Sequence, residues 1–123
     1  MGDAPQRGDA MYPVWERRGA RRLPVQVWVQ ETTGDAVYYH RTADLSSGGL
    51  HLEGTMPHEP GTRVRLRFLL PGDEEPVDVA GEIVPPAAGR ELGMGVRFVD
   101  PSEPVTRRID AFVREAIGVP LER

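Results

Sequence analysis

From Leu23 the chain alternates. Leu23, Val25, Val27 and Val29 fall on one side, and Pro24, Gln26, Trp28 and Gln30 on the other. A period of two residues predicts a half-buried strand. The segment TTGD (32–35) reads as a turn, and AVYYHRTADL (36–45) is β-branched and aromatic enough for a second strand. SSGG breaks that strand, and LHLEG (50–54) makes a short third. After a loop marked by Pro57, Pro60 and Gly61 comes the cleanest alternation in the chain. Val64, Leu66, Phe68 and Leu70 face one way, and Arg63, Arg65 and Arg67 the other. PGDEE is a hairpin turn. Val77, Val79 and Ile83 define a fifth strand, with Gly81 as a bulge or close-approach point. PPAAGR is a loop. Leu92, Met94, Val96 and Phe98 define a sixth strand, with Gly93 and Gly95 on its other face.

The period then changes. Val105, Ile109, Phe112, Val113, Ala116 and Ile117 share one face of a helix over 102–117. Ser102 suits the N-cap, Glu103 and Pro104 suit the first turn, and Gly118 followed by Pro120 ends it. Six short strands separated by Gly/Pro turns, then one amphipathic helix, point to a mainly β protein. The architecture is a small antiparallel barrel or sandwich with the helix packed on it. At 123 residues this is one domain. Residues 1–14 lack periodicity and read as a flexible tail, with 119–123 as a second short tail.

Composition narrows the chemistry. There is no cysteine, which excludes disulfides, thiolate nucleophiles and Cys-based metal sites. The start carries no secretory leader pattern, and no apolar run reaches membrane-spanning length, so a cytoplasmic protein is expected. Net charge is −4, which argues against general duplex binding. All 15 basic residues are arginine. His40, His51 and His58 have no metal-ligand spacing and read as partly exposed strand and loop residues. No nucleophile elbow, P-loop or dinucleotide fingerprint is present. No catalysis, metal or cofactor is expected.

Two segments stand out. RRGARR (17–22) places four arginines in six residues, just before the first strand. Guanidinium forks bind phosphate bidentately and read the O6/N7 edge of guanine. Taken alone, the cluster reads better as a solvated loop. DLSSGG (44–49) puts a carboxylate, a hydroxyl and two glycines at the next hairpin. Asp44 can accept from a guanine N1–H/N2–H edge, Ser46 can bond phosphate or amine, and Gly48 and Gly49 let a ligand approach the backbone. An ordinary tight turn uses the same residues.

Taken together, Arg18-Gly-Ala-Arg-Arg22 before the first strand and Asp44-Leu-Ser46-Ser-Gly48-Gly49 at the hairpin resemble the RxxxR and DxSxxG motifs of the PilZ family. The likeness continues through PGTRVRLRFLLPG, VDVAGEIV, LGMGVRFVD and the final helix. It implies a PilZ domain over 15–118, with the RxxxR loop at 17–22, a six-stranded antiparallel barrel at 23–100 and a C-terminal helix at 102–117. It also implies binding of the bacterial second messenger cyclic di-GMP, without catalysis. On this likeness Arg18 and Arg22 reach guanine edges and phosphates, Arg17 assists, and Asp44, Ser46, Gly48 and Gly49 surround one guanine. Arg21 falls in the variable middle of RxxxR and carries no role.

The chain departs from the family at Pro85, where many relatives carry an aromatic residue just after the fifth strand. Trp15 is either a substitute ring for the ligand or a tail residue patching the barrel. The implied partners are cyclic di-GMP and an effector protein that reads a ligand-dependent surface, with no DNA, RNA or membrane insertion. The assembly is a monomer or homodimer. The alternative is a PilZ-fold adaptor that does not bind the nucleotide and acts in motility or exopolysaccharide control.

Overall fold

The computed structural model describes residues 22–86 and 92–118. Seven strands and one helix follow in chain order: β1 (Leu23–Pro24), β2 (Trp28–Thr33), β3 (Ala36–Ser46), β4 (Gly49–Leu52), β5 (Arg63–Phe68), β6 (Val77–Val84), β7 (Met94–Val99) and α1 (Glu103–Ile117). Every pairing is antiparallel. The sheet runs β3-β2-β5-β6-β7-β4, and β4 pairs back onto β3. Six strands therefore close into a barrel, and closure removes the unpaired edges that an open sheet would expose. The two-residue β1 adds to the Asp44–Leu45 end of β3.

The barrel interior is the apolar stripe of each alternation. Val29, Leu50, Leu52, Leu66, Val77, Ile83, Met94 and Val96 are all buried within it. Arg63, Arg65 and Arg67 alternate outward on β5. Gly81 lies among inward positions of β6 because two strands and their side chains crowd it. A Cβ there would sit 2.5 Å from Val96 Cγ1 and 3.3 Å from the Arg97 carbonyl. Gly81→Ala is expected to cost about 1–3 kcal/mol through overpacking. A Val96→Ala companion should recover part of that loss. Urea midpoints of the two variants would check this, and a Gly81→Ala midpoint equal to the parent's would refute it.

Helix α1 packs against the barrel through Ile109 and Val113, with Val105 and Phe112 partly buried beside them. Its ends are fixed as the sequence predicts. The Ser102 hydroxyl accepts from Val105 N–H, and Gly118 takes the left-handed conformation and returns its N–H to the Arg114 and Glu115 carbonyls. The structure corrects the outer part of the apolar face, since Ala116 and Ile117 are exposed beyond the barrel's cover.

Two further expectations change. The first strand is not continuous from Leu23 to Gln30. The Thr42 hydroxyl donates to Val25 O at 2.6 Å and accepts from Val27 N–H at 2.9 Å, so a side chain replaces ladder bonds between β1 and β2. Leu92 is not an inward residue of the last strand. Gly93 turns the chain with φ 95°, and Leu92, just before it, is 60% exposed. L-residues rarely take that φ, and a Cβ would also meet the Leu52 carbonyl at 2.9 Å.

Candidate functional site

The Asp44 carboxylate reaches the surface because of an irregularity in β3. The β3–β4 register shifts between Thr42 and Asp44. An extra residue in one strand reverses the inward–outward order beyond it. Thr42 is buried before the shift and Leu45 after it, leaving Asp44 half-buried rather than locked inside. In β1, Pro24 pairs with Asp44, which brings the end of the arginine segment to the same edge.

Arg22 closes onto that carboxylate. Its Nε donates to Asp44 Oδ1 at 3.0 Å, and its Nη2 donates to the same oxygen. The two side chains are 21% and 17% exposed. That is enough to leave both groups reachable, and little enough to lift their attraction above that of an open surface pair. The hairpin beyond is built by Ser46. Its buried hydroxyl accepts from Gly48 N–H at 3.1 Å and donates to Gly49 O at 3.3 Å. The Gly48 carbonyl is held in turn by Phe98 N–H at 2.9 Å. Ser46 thus shapes the turn, with Gly48 partly exposed and Gly49 buried, and the turn is pinned to β7. Arg22, Asp44, Ser46, Gly48 and Gly49 are together at one end of β3. Arg17, Arg18, Arg21 and Trp15 lie outside the described residues. Pro85 is exposed immediately after β6.

Chemically the edge presents a guanidinium fork beside a carboxylate, next to a tight Ser-Ser-Gly-Gly turn. Such an arrangement can hold a ligand that carries both an anion and a donor edge. The family model of the PilZ domain matches residues 16–115, a span that encloses both segments. The chain belongs to the PilZ domain family. Curated proteins offer no match. Among solved structures, the inhibitor of motility MotI/DgrA of Bacillus subtilis is 15% identical, with a TM-score of 0.69 over 83% of this chain and 52% of that one. This PilZ chain thus spans about half the length of that structure. The PilZ domain of CeSA from a cellulose-synthesizing bacterium is 20% identical, with a TM-score of 0.56 over 80% of this chain and 96% of that one. The PilZ domain of Escherichia coli YcgR, solved with c-di-GMP, is 19% identical, with a TM-score of 0.61 over 83% and 98%. At these identities the likeness is one of fold.

A second polar cluster in this PilZ barrel is absent from the sequence expectations. Glu31 is fully buried on the inward side of β2. Its Oε1 meets His40 Nε2 at 2.9 Å, its Oε2 meets His58 Nε2 at 2.9 Å, and Thr33 Oγ1 also donates to Oε2. The Tyr38 ring packs against both imidazoles. His40 and His58 are partly exposed strand and loop residues, as expected, but the sequence did not show that both meet one buried carboxylate. The available signal was the Val27–Val29–Glu31 alternation, which places a carboxylate on an inward stripe. Among the described residues no His, Cys, Asp or Glu group is arranged to hold a metal ion. The two imidazole nitrogens bond the carboxylate instead. The cluster lies toward the end of β3 opposite Asp44.

Proposed function

We propose that this PilZ domain, spanning 15–118, is a receptor for cyclic di-GMP that binds without catalysis and passes the signal to a partner protein. The observation that carries the reading is the meeting of Arg22 and Asp44. One residue of RxxxR and one of DxSxxG, 22 positions apart, share a half-buried edge beside the Ser46–Gly49 turn. The E. coli YcgR domain of the same fold, solved with c-di-GMP, supports the ligand class.

In this reading the Asp44 carboxylate accepts from the N1–H and N2–H of one guanine. The guanidinium groups of Arg18 and Arg22, assisted by Arg17, take the phosphates and the O6/N7 edge. Ser46 keeps the turn rigid, so Gly48 and Gly49 present backbone at contact distance. In this reading two phosphates neutralise the clustered arginines of 17–22. Binding then folds this segment over the β3–β4 hairpin and creates the surface that an effector reads. The setting is the cytoplasm, and among the described residues no helix is long and apolar enough to cross a membrane.

Calorimetric titration tests the proposal. Cyclic di-GMP should give saturable heat at micromolar protein and moderate salt. GTP and a short single-stranded oligonucleotide should give none. Absence of heat with cyclic di-GMP would leave the nucleotide-independent adaptor as the better account.

A further inference from the structure

The outer wall of the barrel carries a second set of chemistry-bearing residues, separate from the Asp44 edge. Register places Arg41 beside Trp28, Tyr39 beside Gln30 and Val37 beside Thr32 on β3 and β2. Across β2, Arg67 lies beside Gln30 and Arg65 beside Thr32. One register step past Phe68, Leu69 comes level with Trp28. These side chains face water. Trp28 is 64% exposed and Tyr39 66%, with Val37 and Leu69 about half exposed. The Arg41 guanidinium lies 5.6 Å from the Trp28 ring centre.

The charges on this wall are unbalanced. Asp78 alone serves both Arg65, at 2.8 Å, and Arg67, at 3.2 Å. Glu82 alone serves both Arg63 and Arg97. Arg41 has Glu53 at 3.9 Å. Among the described residues, five guanidinium groups thus meet three carboxylates here, on a chain whose net charge is −4. Each guanidinium has five N–H donors, so a shared carboxylate leaves donor capacity unused.

We propose that the outer wall of β3, β2 and β5 is a docking surface for an acidic segment of a partner protein. That segment would bring carboxylates to Arg65 and Arg67 and an apolar side chain to the Trp28–Tyr39–Leu69 patch. Trp, Tyr and Arg are the residues that dominate protein–protein hot spots. The local excess of positive charge selects an acidic partner and disfavours a second copy of the same wall. The residues that meet a partner on this wall are its exposed side chains, so recognition runs through them. A nucleic acid is the poorer fit. Arg41 already lies near the Trp28 ring, Gln30 separates that ring from Tyr39, and the whole chain is acidic. The surface does not depend on the nucleotide reading.

The test is photo-crosslinking of the full chain in its host, with p-benzoylphenylalanine placed at position 28, at position 39 or, as a control, at the exposed helix position 115. Positions 28 and 39 should crosslink one and the same partner segment, rich in Asp and Glu, and position 115 should not. In an Arg65→Glu/Arg67→Glu background the yield should fall at least tenfold, and Asp/Glu→Arg changes in the mapped partner segment should restore it. Melting temperatures of the variants should stay within a few degrees of the parent, because the altered side chains are exposed. Crosslinks confined to a second copy, to RNA or to lipid would overturn the proposal. So would crosslinks that charge reversal leaves unchanged, or no crosslink at all.

Discussion

Glu31→Ala is expected to destabilise the barrel by about 3–5 kcal/mol, the scale for removing one partner from a buried carboxylate–imidazole cluster. The melting temperature should fall by roughly 10–20 °C. The size follows from what Glu31 leaves behind. The carboxylate is fully buried, accepts from the Thr33 hydroxyl and meets Nε2 of both His40 and His58. Alanine would leave two ring nitrogens and a hydroxyl facing a cavity, each carrying a desolvation penalty. Glu31→Gln should cost less. Its oxygen keeps one donor, and the other imidazole can switch tautomer and accept from the new amide. Urea denaturation of parent, Gln and Ala variants measures the series. An alanine variant within 1 kcal/mol of the parent would show that the cluster is not what closes this end of the barrel.

That cluster also marks the boundary of what the sequence discloses. The strands of the barrel were legible because each buries one face, and a two-residue period records that burial directly. Arg63 to Leu70 is the clearest case: the four apolar positions are inside and the three arginines outside. The helix ends were legible because Ser102 and Gly118 act on neighbours three or four residues away. Glu31 was harder to read. Its partners come from β3 and from the loop that holds His58, 27 positions along, and only closure of the barrel brings them together. The break between β1 and β2 was hidden for a related reason. It depends on the Thr42 hydroxyl, on another strand, taking the bonds of Val25 and Val27. Local pattern likewise overextended the helix face to Ala116 and Ile117, because periodicity does not say where the barrel beneath it stops. At the candidate site, the motif residues Asp44, Ser46 and Gly49 were legible as a turn. The shift near Ala43 that turns Asp44 outward was not, since parity along β3 reads straight through it.

Arg22→Ala and Asp44→Ala should each weaken cyclic di-GMP binding by about 2–30-fold: a charge-assisted contact of roughly 1.5–3 kcal/mol is lost, less about 1 kcal/mol for the Arg22–Asp44 pair that no longer has to break. The fold should survive both changes, because the pair lies at a partly exposed edge. The double variant carries more information. Without ligand, Arg22 and Asp44 are bonded to each other. If the nucleotide takes both groups, binding must first give up this pair. Each single variant has lost one ligand contact but no longer has a pair to break, so its measured loss understates the contact. The double variant loses both contacts and is relieved of the pair only once. Its affinity should therefore fall below the product of the two single effects, by about fivefold if the pair contributes on the order of 1 kcal/mol. Strict additivity would mean that the pair persists in the complex and meets the guanine as one unit. Single variants that bind as tightly as the parent would remove the Asp44 edge from the nucleotide site altogether. The calorimeter that tests ligand binding measures all three outcomes, and the excess loss should shrink as added salt screens the pair.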